Sequence, residues 1–563
     1  MLIIFFITTF LILLSTIGYG LVFTKVLKFE RFNYNIGLIG IFGLYLLSIL
    51  SSYSHIITPH NYIHNLIVIL IGLLSYFIFS KKNFKDFKYL IFVFSILFIA
   101  IILAKNNEDF SYYHLPNSLQ FAQQKLQFGL GNLNHGFKHI SSLFMLMSLN
   151  YLPIFEFYLF NTTNLMFLVF MIFFLLKEIF ERFKINLNLS QILLSFFIIL
   201  LLTKFSRLAE YGSDIASQII IAIYFFYVIE MTFNKKLNSI QKSFYSKISL
   251  ILLVFAITTK FIYIIYALIL VPFLISNQKN RSLFYNFFEI KYLFLIFLPL
   301  VFLIFFNFAS TGCLIYPVAK LCLSSQFDWA LSSEVVNYLN SYYELWSKAG
   351  AGVNFQVENQ TDYLIYLNWL PNWFSLYFFN KVSDYLLVIL FIMIVFSFFF
   401  RKEINKTAFK SKKFKKFIFF YTILFFTFLV WFLNFPTLRY AGYIILLLII
   451  VFPFSIFLNN KISLSKKKNL NKISLIITIC FSIFLLKNII RINNELNLTE
   501  KDHNNFKDFP LFWINKKEFK ELEINDHKLY FVSGSCWSTP STCIKSKDIK
   551  IHKKNNYIFY SIK

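Results

Sequence analysis

Residues 106–116 read N-N-E-D-F-S-Y-Y-H-L-P and follow directly on an apolar run. Two adjacent carboxylates, Glu108 and Asp109, could serve as a general base for a hydroxyl group. Tyr113 and His114, about one helical turn later, could bind a substrate or, with Asp109, a divalent metal ion. We therefore predict Asp109 and Glu108 as catalytic residues and Tyr113 and His114 as substrate-binding residues. No other cofactor is indicated.

Further ionisable residues lie at the ends of distant apolar runs. If they meet on one membrane face, cations there could bind a phosphate while a carboxylate accepts a proton. Asp214 equally fits an N-cap of a helix that starts at Ile215, and Lys260 and Arg439 equally fit contacts with lipid headgroups. The predicted substrate-binding residues of this group are His135, Lys138, His139, Asp214, Lys260 and Arg439. Arg207 and Glu210 share a short loop with Asp214, and Lys320 follows the Y-P of the motif G-C-L-I-Y-P.

The composition indicates that a lipid bilayer positions these residues. Of 563 residues, 58% are hydrophobic and 14% are charged, which a soluble fold could not accommodate in one core. Apolar runs of roughly 17 to 25 residues recur up to about Leu486, each long enough to cross a bilayer. The net charge of +27 lies mainly in short loops. There it sets topology and contacts lipids, so a nucleic acid is not expected as a partner.

The predicted fold is an all-α integral membrane protein, a bundle of about fourteen crossings with interfacial helices in its outer loops. Its parts are N-terminal transmembrane helices (1–84), a transmembrane core (85–490) with outer loops 105–152 and 309–381, and a small extracytoplasmic C-terminal domain (491–563), α+β in one interpretation. The basic loops are predicted to face the cytoplasm of a bacterial inner membrane, and the active face the outside.

Four local features refine this topology. Residues 249–276 are predicted to form two short helices that meet near Lys260, and residues 137–152 a surface or re-entrant helix. The amphipathic stretch 119–128 is predicted to lie in the membrane interface. A belt of aromatic residues at the interface is expected to include Trp329, Trp346, Trp369 and Trp373, with a platform that binds a sugar as the alternative.

The cysteines fit an oxidising outer compartment. Cys313 with Cys322, and Cys536 with Cys543, form two closely spaced pairs in segments predicted to lie outside. Each pair is a disulfide candidate, with unpaired thiols as the alternative. Their spacing does not fit a zinc site.

Several short motifs resemble a known group of proteins. The stretches E-D-F-S-Y-Y-H-L-P, G-L-G-N-L-N-H, Y-G-S-D, T-T-K, G-C-L-I-Y-P and L-R-Y-A-G follow one another between residues 85 and 460. In this order they resemble bacterial multi-spanning proteins that are similar to the GT-C class of membrane glycosyltransferases. Here three extra crossings precede the large outer loop, and the acidic pair is Glu-Asp.

The resemblance implies transfer of a sugar from a polyprenyl-phosphate carrier to an acceptor outside the cytoplasm. It implies that Asp109 acts as catalytic base or metal ligand beside Glu108, and that Asp214 is a second acidic position. It further implies that Lys260 and Arg439 bind the carrier phosphate.

The leading hypothesis is therefore a hexosyl- or pentosyltransferase of cell-envelope glycan synthesis, with a polyprenyl-phosphate-linked sugar, membrane lipids and a glycan or lipid acceptor as partners. The alternatives are a transporter or flippase of lipid-linked sugars, an oligosaccharide polymerase or ligase, and a structural envelope protein. A transporter would place ionisable groups near the bilayer midplane, whereas here the apolar runs are nearly free of charge. The sequence indicates neither the sugar, the stereochemistry nor the oligomeric state.

Overall fold

A computed structural model describes most of the chain. The described residues are 1–29, 35–80, 84–102, 109–183, 189–204, 212–234, 236–275, 289–352, 355–400, 411–461, 466–496, 518–525, 527–546, 548–555 and 557–562. Glu108, Arg207 and Glu210, which the sequence marks as candidates, lie outside these ranges.

The described chain is predominantly helical, as expected where backbone amides and carbonyls must be satisfied within each apolar segment. The α-helices are Leu2–Val26, Ile36–Ile57, Tyr62–Phe79, Phe84–Ile102, Leu115–Gln123, Ser142–Ser148, Thr162–Phe183, Leu189–Lys204, Gly212–Phe233, Ser239–Thr259, Val271–Ile275, Ile290–Thr311, Ser333–Ser347, Gln360–Leu364, Leu370–Asn372, Ser383–Phe400, Ser411–Asn434, Tyr443–Lys461 and Lys466–Leu496. Shorter 3-10 or π segments are Phe110–His114, Leu130–Asn132, His135–Lys138, Phe157–Leu159, Phe261–Leu270, Ala319–Leu321, Trp373–Val382 and Leu438–Gly442.

Eleven helices among the described residues are long and apolar enough to cross a membrane. This supports the predicted multi-pass membrane protein with a helical bundle. Three further apolar segments, Phe84–Ile102, Leu189–Lys204 and Phe261–Ile275, are shorter or carry more charge. The figure of about fourteen crossings therefore stays a prediction.

The core of the bundle lies around two central helices. The apolar window of helix Gly212–Phe233 is fully buried, and that of the helix at Thr162–Phe183 is 94% buried. In contrast, helix Tyr62–Phe79 buries only 11% of its window and presents exposed Ile, Leu and Phe side chains. Such an apolar exposed face is what a lipid-facing helix presents.

The loops separate into two ends of the bundle. At the basic end, Lys177 pairs with Asp86, and Lys247 pairs with Glu289. At the opposite end, which we call the loop end, segments from distant parts of the chain contact one another. Gly129 donates to the Ala309 carbonyl, and Ser141 donates to the Thr259 carbonyl. The candidate site lies at the loop end.

The chain turns at Lys260, close to the predicted position. Helix Ser239–Thr259 ends there because Lys260 adopts an extended conformation (φ −157°, ψ 112°), and a 3-10 segment, Phe261–Leu270, follows. The first arm begins at Ser239 and is therefore longer than the short helix predicted.

Two local predictions are wrong and a third is narrowed. Most of the stretch 119–128 is buried, in helix Leu115–Gln123 and just after it, so it does not lie in the interface plane. Trp329, Trp369 and Trp373 are buried inside the protein and Trp346 is partly exposed, so the four do not form a belt at the interface. Helix Ser142–Ser148 is wholly buried, which excludes a surface helix within 137–152 and leaves the re-entrant alternative. In the two wrong predictions the apolar groups pack inside the protein, which leaves little for the interface.

The described C-terminal residues form a small β module. Strands β1 (Lys520–Ile524), β2 (His527–Phe531) and β3 (Cys543–Ile544) make one sheet in the order β1-β2-β3, and β4 (Ile549–Lys554) pairs with β5 (Tyr557–Ile562). The pairings are antiparallel except between β2 and β3. Helix Lys466–Leu496 continues past the predicted domain boundary at residue 491.

Candidate functional site

Two ion pairs form the centre of the site. The Arg439 Nη1 atom donates to the Asp109 Oδ2 atom at 2.5 Å, although the two residues are 330 positions apart in sequence. The Lys260 ammonium group pairs with the Asp214 carboxylate. We call these four residues the ion-pair cluster; their side chains are between 16% and 32% exposed, so the cluster is accessible from the surface.

Breaks in the helices bring the four residues together. Asp109 precedes the π segment Phe110–His114, and Lys260 follows the end of a helix. Arg439 lies in the segment Leu438–Gly442, where Ala441 has a left-handed φ of 70°. Asp214 lies in the first turn of helix Gly212–Phe233, not at its N-cap as the sequence suggested, because the helix begins earlier.

Aromatic rings connect the two pairs. The Lys260 Nζ atom lies 4.6 Å from the centre of the Tyr440 ring, and the Arg439 guanidinium carbon lies 5.3 Å from the same ring. Arg439 also lies over Trp346, at 4.2 Å. These distances are those of cation–π contacts. The ring of Tyr440 thus holds both cations on one side of the site.

The cations determine the protonation of Asp109. Burial raises the pKa of the Asp109 carboxyl, but Arg439, His114 and Lys260 outweigh burial and leave the pKa below its ordinary value. Asp109 is consequently ionised at neutral pH. An ionised carboxylate can accept a proton from a hydroxyl group.

His114 lies in a tightly packed position behind the cluster. It is 3% exposed, and among the described residues its Nδ1 atom has no hydrogen-bond partner. Burial lowers the pKa of His114 to about 4, so the ring is neutral at neutral pH. Gly212 packs against the face of this ring, where a Cβ atom would overlap it.

A ridge of histidine and tyrosine side chains continues from the cluster. The Tyr343 hydroxyl lies 2.8 Å from His135 Nε2, 3.5 Å from His139 Nε2 and 2.7 Å from the Tyr316 hydroxyl. The Tyr113 ring lies 5.1 Å from that of His139. We call Tyr113, His135, His139, Tyr316 and Tyr343 the ridge. Rings and hydroxyl groups of this kind can contact a sugar.

The structure therefore brings Asp109, Tyr113, His114, His135, His139, Asp214, Lys260 and Arg439 together at one end of the bundle. Lys138 lies beside His135. Lys320 is exposed on the loop that follows helix Ile290–Thr311 and forms no part of the ion-pair cluster. The cysteine pairs Cys313–Cys322 and Cys536–Cys543 are disulfide-bonded, the second in the β module.

Sequence reasoning missed Tyr343, Tyr440 and Lys545, and it assigned Trp346 to an interfacial belt. Tyr343 and Trp346 are three residues apart on helix Ser333–Ser347, so they share a face. Their three-residue spacing could therefore have indicated that both side chains reach the same site. Tyr440 directly follows Arg439, whereas nothing in the sequence links Lys545 to a loop 400 residues earlier.

The described residues do not assemble a metal site. Within those ranges no group of three or more histidine, cysteine, aspartate or glutamate side chains could hold an ion. The Asp109 carboxylate is already paired with Arg439. The predicted pairing of Asp109 with His114 around a metal therefore lacks further ligands in this part of the chain.

Comparison with known proteins gives the chain a family. A model for a domain of unknown function, DUF8201, matches residues 1–446. This chain belongs to the DUF8201 family. The matched part of this DUF8201 protein includes the whole ion-pair cluster and the ridge, and it ends before the β module. No curated protein and no solved structure matches the chain significantly.

Proposed function

We propose that this DUF8201 protein is a membrane glycosyltransferase that moves a sugar from a polyprenyl-phosphate carrier to an acceptor hydroxyl group. The observation that carries the proposal is the ion-pair cluster itself, in which two carboxylates and two cations meet at one end of an apolar helical bundle. Isolated ion pairs stabilise a membrane protein weakly, so four partly exposed charges at the loop end favour a binding role.

Lys260 and Arg439 bind the phosphate group of the carrier. In the reaction, the bond between the sugar C1 atom and the phosphate oxygen breaks, and a bond from C1 to the acceptor oxygen forms. The leaving polyprenyl phosphate gains one negative charge, which Lys260 and Arg439 stabilise more strongly in the transition state than in the bound donor. Both cations would exchange their present carboxylate partners for phosphate oxygens.

Asp109 deprotonates the acceptor hydroxyl group. Once Arg439 turns to the phosphate, the Asp109 carboxylate is free to accept the hydroxyl proton, which then passes to water. While Arg439 is paired with Asp109, the depressed pKa keeps the carboxyl group ionised at neutral pH, so Asp109 is in its basic form when Arg439 turns away. The ridge lies on the side where an acceptor sugar could stack and form hydrogen bonds.

The distribution of lysines and arginines along the chain supports one orientation of the protein in the membrane. Lysines and arginines at the basic end favour the cytoplasmic side, so the loop end faces outwards. The two disulfide-bonded cysteine pairs suit that oxidising side. We therefore assign the reaction to the extracytoplasmic face of a bacterial inner membrane.

Asp109→Asn tests this proposal. In proteoliposomes supplied with a polyprenyl-phosphate-linked radiolabelled hexose and an envelope extract as acceptor, we expect the variant to transfer label at least about 100-fold more slowly, the usual loss for a general base. Asp328→Asn is the matched control, because Asp328 is an exposed outer-loop carboxylate away from the cluster.

Other outcomes would replace the proposal. Equal transfer by the wild type and Asp109→Asn removes Asp109 from the mechanism. Movement of the labelled lipid across the vesicle without a new glycosidic bond favours a flippase. Transfer of whole oligosaccharides but not of single sugars favours a polymerase or ligase.

A further inference from the structure

Two lysines from distant parts of the chain lie next to the ridge. Lys138 ends the 3-10 segment His135–Lys138, and its side chain packs along Gly131. Lys545 follows strand β3, and its Nζ atom lies 3.9 Å from the centre of the Tyr112 ring. Both lysines are close enough to His135 to lower the pKa of its ring further, after burial.

The β module brings Lys545 to this position through its backbone. The Lys545 amide donates to the Leu133 carbonyl, and the Trp537 amide donates to the Ser111 carbonyl. These bonds fix the module against the outer loop that carries the ridge. Lys545 is therefore a fixed neighbour of Tyr112.

Neither lysine has an acidic partner among the residues that the structure describes. Lys138 and Lys545 are both partly buried, and burial lowers the pKa of each, that of Lys138 to about 8. A half-buried cation without a counter-ion is unfavourable, which makes each lysine a candidate for binding an anion. Lys138 packs along Gly131 and the Lys545 amide binds the Leu133 carbonyl, so an oxyanion held at this loop segment would give both lysines a counter-ion.

We propose that Lys138 and Lys545 form a second oxyanion subsite, which binds a carboxylate or phosphate substituent of an acceptor glycan. This inference rests on the proposed glycosyltransferase function and deepens it by naming the acceptor as an anionic saccharide. The saccharide lies along the ridge, with its reacting hydroxyl at Asp109 and its anionic group at the two lysines.

The ridge connects the ion-pair cluster with the two lysines. The Tyr113 ring lies 5.1 Å from the His139 ring, and the His139 ring lies 5.4 Å from the His135 ring, beside which both lysines lie. A saccharide that contacts these rings can therefore present a hydroxyl group at one end and an anionic group at the other.

Binding measurements on the full chain in nanodiscs test the subsite without any turnover. The probes are glucose, glucuronate and glucose 6-phosphate, observed by ligand-detected NMR. We expect both anionic probes to bind at least about tenfold more tightly than glucose, as a charge-assisted hydrogen bond allows. The stronger of the two identifies the source of the oxyanion as carboxylate or phosphate.

Variants locate the effect. The double variant Lys138→Gln/Lys545→Gln should lose the preference for anionic probes, and Lys138→Arg/Lys545→Arg should restore it. Lys320→Gln, at an exposed outer lysine, should keep it. An equal affinity of the wild type for all three probes overturns the subsite. So does a preference that survives the double variant but disappears in Lys260→Met, because the anion would then sit in the ion-pair cluster.

This test is independent of the proposed reaction. Loss of sugar transfer in Asp109→Asn with no anion preference in the wild type would retain the transferase and remove the subsite. An anion preference at the two lysines in a protein that transfers no sugar would retain the subsite as a binding site and remove the transferase.

Discussion

Single side chains in the site are held by close packing as much as by charge. His114 is buried, one of its nitrogens has no partner in the part of the chain that the structure describes, and a Cβ atom on Gly212 would overlap its ring. Gly212 also has a φ of 46°, which L-residues rarely adopt. The start of helix Gly212–Phe233, and with it Asp214, depends on this glycine.

Gly212→Ala should therefore destabilise the site. The added methyl group overlaps His114 and strains the backbone, which we expect to lower the free energy of unfolding by about 1–3 kcal/mol and to reduce sugar transfer. Thermal unfolding in detergent measures the loss. Gly352→Ala is the matched control, since its Cβ would meet only the Phe355 carbonyl oxygen, at 3.8 Å. Equal unfolding temperatures for the two variants would contradict this packing.

The buried histidines predict how stability depends on pH. Burial lowers the pKa of His114 and of His135 to about 4, and that of His139 to about 3, from 6.5. Between pH 6.5 and about 4 the unfolded chain binds protons that the folded chain does not. The free energy of unfolding therefore falls as the pH falls, by up to about 1.4 kcal/mol per pH unit for each histidine.

Unfolding temperatures recorded from pH 7 to pH 5 check this expectation. The decrease should be smaller in His135→Gln than in the wild type. His552→Gln alters an exposed histidine of strand β4 and should keep the wild-type slope. A slope that does not change in His135→Gln would show that this ring is not held neutral.

At this scale the sequence predicted which residues belong to the site but not which of them pair. Asp109, Asp214, Lys260 and Arg439 could be proposed because each ends an apolar run at the same predicted face. Their pairing could not be predicted. Asp109 and Arg439 are 330 positions apart and Asp214 and Lys260 are 46 apart, so only the packing of the bundle decides which residues meet. Their catalytic roles stay predictions.

At the scale of elements, the β module and the loop segment that carries Phe128 form one unit. Phe128 donates its amide to the Ile558 carbonyl, and its ring stacks on Phe559 with centroids 4.8 Å apart. It also meets Trp329 edge-on at 5.5 Å. Through Phe128 the module is joined to both large loops at the loop end.

Phe128→Ala should loosen this unit. Loss of the ring removes contacts with Phe559 and Trp329, at a cost of about 2–4 kcal/mol. Hydrogen exchange should then become faster in strand β5 and in segment Leu130–Asn132, while the central helix Gly212–Phe233 stays protected.

Phe519→Ala provides the comparison, because Phe519 is 44% exposed and its ring contacts Tyr530 within the module. If hydrogen exchange in strand β5 is unchanged in Phe128→Ala, contacts other than those of Phe128 hold the module in place.

Elements were predictable where the bilayer dictates them. The apolar runs gave the long helices and the turn at Lys260 because length and hydrophobicity suffice there. The outer loops were predicted poorly. Amphipathic segments such as Leu115–Gln123 look interfacial in sequence, but they bury their polar face too, against other loops. Only tertiary packing decides between these outcomes.

At the scale of the whole molecule, the charges divide the bundle into a basic end and a loop end. The Lys25 ammonium group lies over Phe79 at the basic end, and Lys472 donates there to the Phe399 carbonyl. The ion-pair cluster, the ridge and the β module are all at the loop end. Where the charges lie along the bundle therefore says more about the position of the site than the net charge does.

Cysteine labelling tests the sidedness. With a membrane-impermeant maleimide on intact cells, Asp328→Cys at the loop end should react, and Lys416→Cys at the basic end should react only after permeabilisation. Both positions are exposed. The wild type is the control, because its free Cys480 is buried. Labelling of Lys416→Cys alone on intact cells would invert the topology.

The central claim is that Lys260 and Arg439 bind the phosphate of a polyprenyl carrier beside Asp109. An electron cryomicroscopy map of the full chain in nanodiscs with polyprenyl phosphate tests it most directly. We expect phosphate density between the Lys260 ammonium and Arg439 guanidinium groups, with the tail running from there between the helices. Phosphate density at the basic end, or a bound lipid with both ion pairs unchanged, would contradict the account.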